Sequence, residues 1–250
     1  MFAHAGLFYY YDTNAIVVMD VEGNIVHEMT CPEVVGYALS MKGVVLAVLA
    51  DGLLYDISTH EMVGTVPAGV SKVAATPQGY AFVVENTLTF PNGAVVRLRE
   101  NILDMIRFKE AVVVSCAQQV DLYAFSGELL CYSDILPTSA VRFASDGESI
   151  IWASRFCCKK KGSGPQVFNG KISSLMLFEP VLHQNQLVHD VAVCGEVYAM
   201  TTKDYVSQTK VYVSGEVRDF PGADRVFLTQ RENAVYLLLV FGRTIRICRL

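Results

Sequence analysis

The sequence predicts an all-β protein, a single β-propeller domain of about seven four-stranded blades that spans residues 1–250. Short strand-like runs recur in groups of four, and turn-forming residue pairs separate them. No segment has the apolar spacing of a convincing amphipathic helix. The groups begin about 31 to 48 residues apart, and four-stranded units at this period are typical of a propeller.

The clearest group lies in residues 34–67. Its four strand-like runs are Val35–Ser40, Val44–Ala50, Leu53–Ser58 and Glu61–Val66. The pairs Lys42-Gly43 and Asp51-Gly52 separate the first three runs, and such pairs favour tight turns. The group therefore predicts a four-stranded antiparallel meander, which is the unit of a propeller blade.

The same pattern continues through the rest of the chain. Four further full units are expected, at residues 71–100, 102–134, 139–186 and 187–221. Two partial units flank the full ones: residues 1–33 lack a first strand, and residues 225–250 stop one strand short. Five full and two partial units give seven blades.

The chemistry of the individual runs fits this arrangement. Second strands such as VVLAVLA are apolar on both faces, as expected of a strand covered by neighbouring blades. Outer strands such as EVRDF alternate with charge, as expected of solvent-facing edges. A β-sandwich with Greek-key crossovers is the structural alternative, and the regular meander favours the propeller. The blades are WD40-like but degenerate, because Trp-Asp and Gly-His signatures are absent from the sequence.

Composition limits the class of protein. Hydrophobic residues make up 52% of the 250 residues and the mean hydropathy is +0.34. The longest apolar runs, Val44–Ala50 and Ala234–Phe241, are far shorter than the roughly 20 residues of a membrane helix, so we expect buried strands and no membrane contact. The net charge of −5 argues against nucleic-acid affinity from bulk charge, but leaves room for a local basic patch.

Cysteine usage and the N-terminus predict a cytoplasmic protein. The N-terminal segment has neither the basic region nor the cleavage site of a secretory signal. An odd number of scattered cysteines indicates reduced thiols. They are Cys31, Cys116, Cys131, Cys157, Cys158, Cys194 and Cys248.

A basic insertion between Phe156 and Lys171 is the most distinctive local feature. We expect it to be a long loop between the second strand of its blade and a third strand at Lys171–Phe178. Its cations are Arg155, Lys159, Lys160 and Lys161. Such a loop could contact RNA phosphate, or it could be a solvated loop without a binding role, and both interpretations stay open.

No motif predicts catalysis, a cofactor or a metal site. The adjacent Cys157 and Cys158 lack the spacing of zinc ligands, and the chain has neither a Walker loop nor a GxGxxG motif. The pair His189-Asp190 lacks a nucleophile motif, so we expect it to make a structural hydrogen bond between blades. A propeller hydrolase would place carboxylates at the channel, but their spacing selects no metal-binding set. The candidates are Asp12, Asp51, Asp104, Asp146, Asp190 and Asp224.

The last 110 or so residues carry a more specific pattern. It begins with AVRFASDGESIIWASRF and VFNGKISSLMLF, in which Phe168, Asn169 and Gly170 open a strand. The opening LVHDVAV follows, with Val188, His189, Asp190 and Val191. KVYVSGEVRDFPGADRVFLTQ then contributes Lys210, Val211, Gly215, Asp219, Phe220 and Gly222, and an apolar run from Val235 ends at Gly242. In order and spacing these motifs resemble the propeller of eukaryotic translation initiation factor 2A. The related propeller of initiation factor 3 subunit b shares much of this pattern and stays open as a rival.

The resemblance implies a noncatalytic propeller that binds the small ribosomal subunit and assists the handling of initiator tRNA or mRNA. It implies ribosome or RNA contact partly through Arg155, Lys159, Lys160 and Lys161, contact with other proteins through the propeller faces, and a monomer outside its complex. No cofactor is expected, because the sequence has no cofactor motif. The alternative is a generic WD40-like protein-protein interaction scaffold in another intracellular complex.

Overall fold

In the part of the chain that the structure describes, the strands form seven sheets arranged as a ring, with one additional two-stranded hairpin. A computed structural model describes residues 1–98, 102–116, 119–134, 142–145, 150–154, 157–161, 167–168, 171–172, 179–183, 188–202 and 207–250. In these residues, no helix is long and apolar enough to cross a membrane.

The first four blades are antiparallel meanders whose strands follow one another in chain order from the centre outwards. Blade 1 comprises β1 (Phe2–His4), β2 (Leu7–Asp12), β3 (Ala15–Asp20) and β4 (Ile25–Thr30). Blade 2 comprises β5 (Val34–Leu39), β6 (Val45–Leu49), β7 (Leu53–Asp56) and β8 (Glu61–Thr65). Blade 3 comprises β9 (Val70–Thr76), β10 (Gly79–Val84), β11 (Thr87–Thr89) and β12 (Val95–Arg97). Blade 4 comprises β13 (Asp104–Phe108), β14 (Ala111–Ser115), β15 (Gln119–Ala124) and β16 (Leu129–Asp134).

The last three blades continue the ring. Blade 5 comprises β17 (Arg142–Ser145), β18 (Ile150–Ser154), β19 (Cys157–Lys161) and β22 (Glu179–His183), with the hairpin β20 (Val167–Phe168) and β21 (Lys171–Ile172) inserted before its last strand. Blade 6 comprises β23 (Val188–Cys194), β24 (Val197–Thr202), β25 (Gln208–Val213) and β26 (Glu216–Pro221). Blade 7 has three described strands, β27 (Arg225–Arg231), β28 (Ala234–Phe241) and β29 (Thr244–Arg249).

The seven-blade prediction is confirmed, and the expected strands of blades 2, 3, 4, 6 and 7 lie within a few residues of the observed ones. Blade 1 differs, because it does have a first strand. Residues Phe2–His4 pair with β2, with Phe2 opposite Tyr9 and His4 opposite Leu7. A strand of three residues is too short to show an alternating pattern, so only its pairing identifies it.

Blade 5 also differs from the prediction. The run Cys157–Lys161, expected in a loop, is the third strand and pairs with β18 on one side and β22 on the other. Lysine is depleted in strands, but ladder pairing on both sides decides the structure here. The insertion therefore lies one strand later than expected. Of the expected strand Lys171–Phe178, only Lys171–Ile172 is described as a strand, within the small hairpin.

Apolar packing between adjacent blades forms the core. The second strands β6 and β14 are buried at every residue, as predicted from their apolar faces. Between blades 1 and 2, for example, Ile16 and Val18 pack in one cluster with Ala47 and Leu49. Among the described side chains, such clusters also lie between blades 2 and 3, 3 and 4, 6 and 7, and 7 and 1, so the described core lies between the blades.

Among the described strands, none is shared between the sheets of blades 1 and 7, so side-chain packing and polar contacts close the ring. Phe8, Met19 and Val21 of blade 1 form a buried cluster with Leu238 of blade 7. The backbone N–H of Gly6 donates a hydrogen bond of 2.8 Å to the hydroxyl of Thr229. Arg231 Nη1 lies 2.8 Å from Glu22 Oε2.

Gly6 provides a test of this closure. Its φ is +80°, and a Cβ at this position would lie 2.8 Å from Arg231 Cβ. Gly23 has a similar φ of +88°, but a Cβ there would meet nothing within 4 Å, so it is the matched control. Both Gly→Ala changes cost about 1–2 kcal/mol from backbone strain, and we expect Gly6→Ala to cost about 1 kcal/mol more from the clash. Urea unfolding measures both losses, and equal losses would contradict close packing at this junction.

Candidate functional site

The innermost strands of the blades surround a central channel with a volume of about 930 Å³. Because blades 1–6 are four-stranded antiparallel sheets whose strands follow chain order, their innermost strands and that of blade 7 start at the same end of the channel, and the connections divide into two faces. We call one face, which carries the linkers between blades such as 31–33 and 222–224, the linker face. The opposite face carries the turns between first and second strands, such as 40–44, and is called the turn face.

Two ion pairs lie at the linker end of the channel, and each joins adjacent blades. Lys72 Nζ lies 3.2 Å from Asp104 Oδ1, which links blades 3 and 4. Arg225 Nε donates to Asp190 Oδ2 at 3.0 Å, which links blades 7 and 6. Opposite charges so placed neutralise each other, so this end of the channel has no excess of either sign from these four groups.

Asp190 makes a second contact across the blade boundary. Its Oδ2 also accepts the backbone N–H of Val226 at 3.0 Å, and its side chain is only 11% exposed. The blade-to-blade hydrogen bond that the sequence predicted for the pair His189-Asp190 is therefore confirmed at Asp190. The carboxylate stabilises the junction of blades 6 and 7.

The turn end of the channel has a different character. The His4 side chain hydrogen-bonds to the backbone of Gly43, and burial lowers the pKa of His4, with the nearby charge of Arg107 adding to the effect. Arg107 Nη1 donates to the Met41 sulfur at 3.2 Å. Groups from blades 1, 2 and 4 therefore meet at this end of the channel.

An aromatic contact joins blades 1 and 2 inside the channel wall. The rings of Phe2 and Tyr37 are stacked with their centroids 6.3 Å apart. Burial raises the pKa of Tyr37, so its hydroxyl is neutral at physiological pH. Within the described part of the chain, this buried hydroxyl has no hydrogen-bond partner.

Of the six aspartates proposed for a hydrolase, the five that the structure describes do not form a cluster that could hold a metal ion. Asp104 and Asp190 line the channel, but each is paired with a cation of the neighbouring blade. Three other aspartates accept hydrogen bonds in turns or loops. Asp12 accepts one from the Thr13 hydroxyl, Asp51 accepts one from the Leu53 N–H, and Asp224 accepts one from the Gly242 N–H. Asp146 lies outside the described residues. In the described ranges, no group of three His, Cys, Asp or Glu residues could hold a metal ion.

The predicted RNA-binding residues lie in or beside blade 5. Lys159 is paired in register with Trp152, Lys160 with Ile151 and Lys161 with Ile150, so all three belong to one central strand of the blade. Arg155 lies outside the described residues. RNA or ribosome contact by these four residues stays a prediction.

Apolar side chains exposed on the outermost strands are a feature that the sequence reasoning missed. They include Ile25 and Val26 on β4, Met62 and Val63 on β8, Val95 on β12, Leu129 and Tyr132 on β16, and Val217 on β26. Edges that alternate with charge were expected instead. The signal in the sequence was the placement of apolar pairs directly after the last turn of a blade, as in Ile25-Val26.

No family model matches the sequence, and no curated protein matches it. Solved structures do match. The β-propeller domain of Cps50 (Swd1) from Myceliophteria thermophila has a TM-score of 0.68 at 13% identity, over 100% of this chain and 96% of that one. Hsv2 from Kluyveromyces lactis has a TM-score of 0.63 at 16% identity, and the match covers 86% of this chain and 73% of Hsv2.

A chain in the mitotic checkpoint complex is also similar, with a TM-score of 0.67 at 9% identity, over 100% of this chain and 85% of that one. Identities this low show the fold alone. With the blade topology described above, they show that this chain has a WD40-like β-propeller fold.

The two inter-blade ion pairs should differ in their contribution to stability. In Asp190→Ala, the buried Val226 N–H loses its acceptor, whereas Arg225 is 54% exposed and can turn to water, and we expect a loss of about 2 kcal/mol. Asp104→Ala removes a carboxylate that is 33% exposed from a pair with Lys72, so we expect a loss below about 1 kcal/mol. Urea unfolding of both variants checks this order. Equal losses would show that Asp190 is not a structural bridge.

Proposed function

We propose that this protein is a noncatalytic scaffold that binds other proteins through the surfaces of its propeller. The observation that carries this proposal is the set of exposed apolar side chains on the outer strands. Single exposed apolar residues are ordinary, but larger contiguous apolar patches are typical of interaction surfaces, and here the exposed residues include adjacent pairs such as Ile25-Val26 and Met62-Val63. The paired channel aspartates favour a structural role over a catalytic one.

The comparisons support protein partners in general. The similar chain in the mitotic checkpoint complex belongs to a protein assembly. Fold likeness alone does not transfer a function, so the partner class has to come from the surface of this chain.

A second candidate is the role suggested by the resemblance to initiation factor 2A, which is binding of the small ribosomal subunit and assistance in initiator tRNA or mRNA handling. The ordered motifs from Ala140 to Gly242 support it. Asp190 gives part of this pattern a structural reason, since it joins blades 6 and 7. The proposed contacts are Arg155, Lys159, Lys160 and Lys161.

We also propose a single-domain cytoplasmic protein. Contacts between the first and last blades support a single domain. Among the described residues, Cys31 and Cys248 are free thiols, which supports a reducing compartment.

Affinity purification of the full chain at near-physiological salt, with and without nuclease, tests the scaffold proposal. We expect a reproducible set of protein partners that survives nuclease treatment. Recovery of no partner, or loss of every partner with nuclease, would contradict a protein-binding scaffold. Small-subunit ribosomal proteins in the set would favour the initiation-factor role over the general one.

Co-sedimentation with small ribosomal subunits tests the second candidate separately. Lys159→Gln, Lys160→Gln and Lys161→Gln together should weaken binding several-fold, because each change removes a phosphate contact. The matched control removes the same charge from blade 7 by Arg243→Gln, Arg246→Gln and Arg249→Gln, all at exposed positions. No sedimentation, or equal weakening by both triple variants, would contradict the assignment of the contact to blade 5.

A further inference from the structure

We propose that the outer edge of blades 1 and 2 binds a segment of a partner protein that is rich in both basic and apolar residues. This surface, residues 20–30 and 56–65, is called the acidic–apolar rim. The proposal rests on the scaffold function above and specifies the chemistry of the partner and the place where it binds.

The apolar part of the rim consists of two adjacent pairs on the outermost strands. Ile25 and Val26 on β4 are 60% and 51% exposed, and Met62 and Val63 on β8 are 57% and 42% exposed. Exposure of these four apolar side chains to water costs roughly 25 cal/mol for each Å² of apolar surface. Covering them on binding would therefore stabilise a complex.

Contact between two histidines joins the pairs into one surface. The rings of His27 and His60 meet edge to face with centroids 4.4 Å apart. His27 follows Ile25 and Val26 on β4, and His60 precedes Met62 and Val63 in the turn before β8. The contact therefore brings the outer edges of blades 1 and 2 together.

The charged residues of the rim itself are all acidic, and the one described cation paired with them is Arg231 of blade 7. Residues 1–65 contain eight Asp and Glu residues and a single Lys, which is a net charge of −7, whereas the whole chain carries −5. The remaining residues, 66–250, therefore carry +2. The rim itself contains no Lys or Arg. Its carboxylates are Asp20, Glu22, Glu28, Asp56 and Glu61.

Two of these carboxylates are available to a partner. Asp20 and Asp56 accept backbone N–H groups of their own turns, and Glu22 pairs with Arg231. Glu28 and Glu61 are exposed, and neither has an ion pair in the described part of the chain. An acidic surface attracts a basic partner and raises its association rate in a salt-dependent manner.

Binding through side chains fits this surface better than addition of a strand. Both outermost strands pair irregularly with their neighbours. A β-bulge interrupts the pairing of β3 with β4 between Val18 and Met19, and another interrupts the pairing of β7 with β8 between Leu54 and Tyr55. Such bulges twist an edge strand and disrupt its pairing with a further strand. The exposed pairs and carboxylates are therefore the recognition groups.

Fluorescence polarisation with labelled peptides and the full chain tests the proposal. The probe is a peptide that alternates Lys with Leu, and two controls replace either its Lys residues with Glu or its Leu residues with Ser. We expect the Lys–Leu peptide to bind about tenfold more tightly than either control, and more weakly as salt rises. Equal binding of the acidic peptide, or binding without the apolar residues, would overturn the proposal.

Variants locate the binding. Glu28→Lys with Glu61→Lys, and separately Met62→Ser with Val63→Ser, should each weaken peptide binding about tenfold. The matched controls are Glu216→Lys and Val217→Ser on the outer strand of blade 6, where Val217 is 51% exposed, and these should leave it unchanged. An unchanged Tm confirms that each variant is folded. Equal effects at blade 6 would overturn the assignment to the rim.

Two further results separate this inference from the scaffold function. Sedimentation that detects a dimer abolished by the rim variants would assign the surface to a second copy of this chain and overturn a basic partner. Affinity purification that recovers the same partners with the rim variants as with the unaltered chain would refute the rim alone. Recovery of no partner with the unaltered chain would refute the scaffold function itself.

Discussion

Burial of each sheet between its two neighbours is the constraint on which the rest of the structure depends. The central strands β6 and β14 are buried at every residue, so an isolated blade would expose both of its apolar faces to water. Only a closed ring covers all faces. The cluster of Phe8, Met19, Val21 and Leu238 closes it between the first and last blades, with the polar contacts of Gly6 and Arg231 beside it.

This constraint also determines where function can reside. At the linker end of the channel, Lys72, Asp104, Asp190 and Arg225 stabilise blade junctions as cross-blade ion pairs. Recognition then falls to the surfaces that blade packing does not use, which are the two faces and the outer edges. The unequal distribution of charge singles out one outer edge, because residues 1–65 carry a net charge of −7 and the rest of the chain carries +2.

Much of the fold could be predicted from the sequence, because hairpin turns and alternating strands are local signals. The bridge made by Asp190 was predictable as well, since the His-Asp pair lacked a nucleophile. β1 was missed because three residues show no period, and β19 because its lysines oppose the strand propensity that pairing overrides. The acidic–apolar rim could not be predicted, since it depends on the contact between His27 and His60 of different blades.

Amide hydrogen exchange at the ring closure tests the central claim most directly. If blades 1 and 7 hold each other in a closed ring, the amides of β1 that are paired with β2 should exchange only through unfolding on the scale of the whole protein. Their protection should then match that of β6 and β14 and fall with it as urea is added. Rapid exchange of β1 while β6 and β14 stay protected would show that the first strand frays independently, and it would contradict a ring closed by packing.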